Sequence, residues 1–251
     1  MTLARARALG KRALVSVLAL GAAYVGLLVF PAPLFAHART GRFLTVHADA
    51  PIPASAGAVI ADAEARVERS ALFVPDVPHD VYVCQSLWRW RLVSNRAVGA
   101  GALAMAPIGR AVFTRPAHFD RDRLVGPSGR ETPGERTLAY FLAHEITHTL
   151  TADRLGLPYF DLPAWVREGY ADYVGRGPTF DYEATRARLL AGDRTLDPSA
   201  SGLYLRYVLL VAHLLDREGW PVEALLARPP DRAALEARVR EGRIAPYRAA
   251  P

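Results

Sequence analysis

No charged residue interrupts the chain between Ala13 and Phe35, which reads ALVSVLALGAAYVGLLVFPAPLF. About 20 apolar residues suffice for a helix to cross a bilayer, so this run predicts a membrane-length helix. Arg5, Arg7, Lys11 and Arg12 precede it, and Pro31 and Pro33 follow it. Positive flanks stay on the cytoplasmic side, which puts residues 1–12 in the cytoplasm and the rest outside. A cleaved signal peptide is the competing reading. Ala36-His37-Ala38 has the small-x-small form of a cleavage site, but the apolar stretch exceeds the usual signal core of about 7–15 residues. Length favours an uncleaved anchor, with residues 1–35 as anchor or signal peptide and 36–251 as one extracytoplasmic domain, or a secreted or periplasmic one after cleavage.

Beyond the apolar run the pattern changes to short periods. Residues 36–53 are polar and proline-bearing and read as a linker with one short strand at Phe43–His47. Val59, Ala63, Val67 and Leu72 recur at mostly helical spacing, which predicts a helix from Ala54 to Leu72, closed by Pro75 and Pro78. Asp80–Cys84 alternates as a strand does. Trp88-Arg89-Trp90 forms an aromatic knot, expected to pack under a loop. Residues 102–106 and 111–115 predict a hairpin around Pro107-Ile108-Gly109-Arg110. Residues 120–134 are rich in Arg, Asp, Gly and Pro and read as a surface loop.

That loop ends in a helix-start signal: Thr132 as N-cap, Pro133 at the first position and Glu135 three residues after the cap. A helix is therefore predicted from Pro133 to about Arg154, burying Leu138, Leu142 and Ile146 on one side, with Gly156 and Pro158 beyond it. A second helix should open at Pro163 and end near Gly175. A short charged helix at 181–192, an apolar one at 204–215, and two more at 221–228 and 231–241 complete the chain before a polar tail. The expected fold class is α+β: a small antiparallel sheet, a helix pair packed on it, and a mostly helical C-terminal part.

Composition narrows the function. The formal net charge is +6, yet four of the positive charges precede the domain. The rest are scattered among carboxylates, without the basic stripe or aromatic platform of a nucleic-acid binder. Cys84 is the only cysteine, so no internal disulfide can form and the fold rests on its core. No repeat, glycine-rich nucleotide loop or nucleophilic Ser or Cys elbow stands out.

The chemistry sits on the helix pair. The sequence His144-Glu145-Ile146-Thr147-His148 puts two histidines one helical turn apart on one face, where they can ligate one zinc ion from the same side. Glu145 lies close enough to reach a metal-bound water without being a ligand. Glu168 would be the third ligand and leave the fourth position open for water. Asp172, four residues further on in the same helix, shares its face. One carboxylate can ligate the metal while the other accepts a hydrogen bond from the far nitrogen of a ligating histidine.

HEITH followed by the EGYAD segment resembles the gluzincin zinc metallopeptidases, the thermolysin-like clan, and the Trp165-x-x-Glu168-Gly169-x-Ala171-x-Tyr173 form is closer to their bacterial aminopeptidase-related branch. The resemblance covers about residues 132–175. It implies His144, His148 and Glu168 as zinc ligands, Glu145 as general base and Asp172 as the partner of His144. It further implies a peptide or protein substrate added to a strand edge beside the metal, here Ala104–Ala106. A hydrogen-bond donor to the reacting oxygen is expected from beyond the third ligand. Tyr204 is preferred, with Tyr207 as runner-up and His213 as an ordinary histidine. One position departs from the pattern: Arg167 stands where thermolysin-like enzymes often carry Asn. Two further readings stay open at this point, a non-catalytic zinc-stabilised binding domain at the cell envelope and a zinc amidase acting on a non-peptide substrate.

Overall fold

The computed structural model of the protein describes residues 3–95, 97 and 99–248. The flank at 1–12 and the polar tail therefore lie partly outside the described residues. The first element, α1 (Leu3–Val29), carries a span from Lys11 to Val29 that is long and apolar enough to cross a membrane.

A five-stranded sheet follows. The first strand, β1 (His37–Thr40), pairs antiparallel with β2 (Leu44–Ala48). Helix α2 (Ala56–Val67) then carries the chain across to β3 (His79–Val83), which lies parallel to β2, with Leu44 opposite His79 and Ala48 opposite Val83. After α3 (Leu87–Ser94) come β4 (Ala102–Ala104) and β5 (Val112–Thr114), an antiparallel hairpin with Ala102 opposite Thr114. Strand β5 pairs parallel with β3, giving the order β1-β2-β3-β5-β4. The sheet is thus mixed, not antiparallel as the alternation alone suggested. Alternation identifies strands but not their direction, and a helical crossover such as α2 joins parallel neighbours.

The strands bury both faces. Leu44, Val46, Val81, Val83 and Val112 face the main core. Tyr82, Cys84, Ala111 and Phe113 face the other way and form a smaller apolar cluster with Trp90, Phe35 and Leu28. The end of α1 belongs to this second cluster, where Tyr24 donates a hydrogen bond to the Leu92 carbonyl at 2.7 Å. The Trp88-Trp90 knot is helical, within α3, rather than packed under a loop: Trp90 is buried, while Trp88 is 56% exposed.

Residues 120–134 are not all loop. A short pair, β6 (Ala117–His118) and β7 (Arg123–Leu124), precedes α4 (Leu138–Leu155). Helix α4 starts later than the capping signal at Thr132 predicted. Gly134 takes a left-handed φ of 78°, which breaks the chain there. Thr132 donates its backbone N–H to Leu124 at 2.8 Å, and Glu135 pairs with Arg176. Thr137 is the actual N-cap; its hydroxyl accepts from the Tyr140 N–H at 3.1 Å, and Asp122 accepts from the Ala139 N–H at 2.9 Å. Two of the helix's unpaired amides are satisfied in this way.

The remaining helices are α5 (Ala164–Arg176), α6 (Tyr182–Leu190), α7 (Pro198–Ser201), α8 (Leu205–Ala212), α9 (Val222–Ala227) and α10 (Arg232–Glu241). Every residue of α4 from Leu138 to Ala152 is buried. It lies between the sheet and α5, and α5 in turn packs on α8. Gly169 permits the second contact, since a Cβ there would stand 2.8 Å from the Tyr207 carbonyl oxygen of the facing chain. Gly175 serves the first, where a Cβ would come within 3.1 Å of the Tyr140 ring. These close approaches fix how far α5 stands from α4.

Candidate metal centre

Helices α4 and α5 bring three of the expected residues to one point. His144 and His148 turn their Nε2 atoms toward each other at 3.2 Å. Glu168 Oε2 lies 3.6 Å from His144 Nε2 and 3.5 Å from His148 Nε2. The cluster could hold a metal ion. Four ligands around zinc at tetrahedral angles sit about 2.0–2.1 Å from it, which spaces neighbouring ligand atoms about 3.3–3.4 Å apart. The observed separations bracket that value. Two neutral imidazoles cannot both present lone pairs at such a distance without a cation or a proton between them.

The electrostatics agree. Burial disfavours a charged His144, yet the Asp172 and Glu168 carboxylates outweigh it and push the imidazole up to about 10. Burial opposes ionisation of Glu168 too, and contact with both histidines overrides it, holding the carboxyl well below the usual range. The site therefore demands positive charge. Asp172 stands behind it with no exposed surface. Its Oδ1 is 3.1 Å from His144 Nδ1, it accepts a hydrogen bond from the Tyr140 hydroxyl, and Arg176 Nε donates to its Oδ2 at 3.0 Å. Those partners keep it ionised despite its burial. Nδ1 of His148 is buried with no hydrogen-bond partner among the described residues, and no carboxylate stands behind it as Asp172 does behind His144.

Glu145 lies in the same cleft and is buried. Burial raises its carboxyl above the ordinary range, while His144 and His148 oppose the rise. The cleft has a volume of about 590 Å³. Strand β4 forms one wall, with Ala104 facing it, and β4 is an edge strand of the sheet. Tyr204, just before α8, lines the same cleft, its ring stacked 6.2 Å from that of His144. Burial and the nearby Glu168 push its phenol up to about 12, so it stays protonated and able to donate. Tyr207 lies behind Tyr204, their rings stacked at 5.9 Å. His213 is engaged elsewhere, 2.6 Å from the Tyr182 hydroxyl and 3.3 Å from Glu218. Of the three donors considered, Tyr204 is the one on the cleft.

No family model, curated protein or solved structure matches this chain. Four residues that sequence reasoning passed over belong to the site. Tyr140 and Arg176 stand four positions before His144 and four after Asp172, and helical periodicity alone could have found them. Tyr159, in the turn between the helices, packs edge-on to His148 at 6.3 Å. Arg115, just past β5, lines the cleft, and no spacing rule points to it.

Proposed function

We propose that the protein is a zinc-dependent metallopeptidase, held at a membrane by α1, that hydrolyses peptide bonds. One observation carries the reading: three ligand-type atoms lie at tetrahedral edge distances beside a buried carboxylate, Glu145, in a cleft walled by an edge strand. Two histidines and one carboxylate, with a side left open, form the donor set of a catalytic zinc site. The resemblance of HEITH and EGYAD to gluzincins supports the same reading.

His144, His148 and Glu168 would hold the ion, and Asp172 would fix the ring of His144. When bound, zinc supplies Lewis acidity, activating water near neutral pH and polarising a carbonyl. The other steps belong to the chain. Glu145, its carboxyl raised by burial, accepts a proton from the attacking water and returns it to the leaving nitrogen. Tyr204 donates a hydrogen bond to the carbonyl oxygen as charge builds on it. The free edge of β4 accepts an extended peptide as an added strand, with the small side chains of Ala102 and Ala104 leaving the backbone approachable.

The anchor reading has its own support. Leu28 and Phe35 are 9% and 5% exposed, packed against Tyr82, Trp90 and Phe113. Cleavage near Ala36–Ala38 would strip both from the cluster. With the basic flank inside, the cleft would face the extracytoplasmic side.

The deciding experiment compares the full chain with Glu145→Gln and His144→Ala. Glu145→Gln should keep bound zinc by metal analysis and lose at least about 100-fold in peptide turnover. His144→Ala should lose the metal. Turnover that survives in Glu145→Gln would refute the assignment.

A further inference from the structure

The cleft carries more positive charge than a metal site needs. Arg115 is 8% exposed, and its Nε is buried with no hydrogen-bond partner. Among the described residues no carboxylate pairs with it. Arg136 also lines the cleft without a carboxylate, its guanidinium 5.4 Å over the Phe141 ring. Both arginines line the cleft, and burial together with the nearby Arg136 charge pushes the Arg115 guanidinium below its ordinary range. Thr132 lines the cleft too, and its hydroxyl is buried without a partner as well. The acidic groups on the cleft, Glu145 and Glu168, stand at the metal centre.

Burying a cation without a counter-ion is unfavourable unless a ligand completes the pair. The planar guanidinium fork matches a carboxylate with two parallel hydrogen bonds. We infer that Arg115 and Arg136, with the Thr132 hydroxyl, form a carboxylate-binding subsite, and that the substrates are peptides carrying an acidic group there, either an Asp or Glu side chain or a free C-terminus. The inference rests on the peptidase reading for its substrate class.

Matched peptides separate the sources: Glu against Gln at each position, and free acid against C-terminal amide. Cleavage is measured with the full chain, Arg115→Gln and Arg136→Gln, and binding of the same fluorescein-labelled peptides is followed by anisotropy. The wild type should prefer the acidic member of one series by about 10- to 100-fold, the range of a hydrogen bond between charged groups. Arg115→Gln should abolish that preference while its thermal midpoint holds or rises, because a buried unpaired charge has gone. Preference in the Glu series assigns a side chain, and preference in the acid series a C-terminus. Equal binding of acidic and neutral peptides, or a preference that survives in Arg115→Gln, would overturn the subsite. No binding of either kind would overturn it too. Cleavage of neutral and acidic peptides alike would sink the subsite and leave the peptidase standing. Carboxylate-dependent binding without any cleavage would sink the peptidase and leave the subsite.

Discussion

At the scale of the residue, His79 shows what burial without partners does. It begins β3 with 2% exposure, and neither ring nitrogen is hydrogen-bonded. Burial, helped by the Arg110 charge, pushes its imidazole down to about 4. An unfolded histidine titrates near about 6.5, so the folded state binds fewer protons between those values. Stability is therefore full above about pH 6.5 and falls as pH drops toward about 4, by about 3 kcal/mol at most. Urea unfolding of wild type and His79→Phe at pH 7 and pH 4.5 should show the larger acid loss in the wild type. An equal loss would mean the ring is solvated in the folded state. Other single residues were readable without coordinates. His144 and His148 share a face of α4, and Glu168 and Asp172 a face of α5, because helical periods of four are reliable; the two pairs meet because α5 packs closely on α4. Arg115 was illegible, since its role depends on what fails to pair with it in three dimensions.

At the scale of the element, α4 carries the argument. Its centre was predictable from a buried apolar stripe and a long uninterrupted pattern. Its start was not. Thr132-Pro133-x-Glu135 satisfies a capping rule locally, but Gly134 turns the chain away and the true cap is Thr137. Thr137→Ala should lower stability by about 1 kcal/mol in denaturant unfolding, the usual cost of a lost N-cap. Thr132→Ala, whose hydroxyl has no partner, should change it much less. Equal effects at the two positions would restore the earlier start. The sheet illustrates a related limit. The strand at Phe43–His47 reappears one residue later as β2, and the 102–115 hairpin turns where expected. Parallel pairing through α2 is a property of the connection, which no single strand's alternation encodes.

At the scale of the whole molecule, the layers run from α3, through the sheet, to α4, α5 and α8, with only the end of α1 against the back of the sheet. The second apolar cluster joins the membrane-length helix to the back of the sheet. A fully buried Leu or Phe contributes about 1.5–3 kcal/mol, so losing Leu28 and Phe35 together would expose Tyr82 and Phe113 at a substantial cost. An N-terminal epitope tag should accordingly stay on full-size protein in the membrane fraction. A shorter, untagged product would establish cleavage instead.

The turn of the β4–β5 hairpin also touches this junction: a Cβ placed on Gly109 would lie 3.7 Å from the Val29 side chain, at the end of α1. Only residues 30–36 separate that helix from the first strand. With α1 in a bilayer, the contacts of Tyr24, Leu28 and Val29 with the domain would limit how far it drifts outward. The cleft that holds His144, His148 and Glu168 would then keep one height above the membrane rather than range over many.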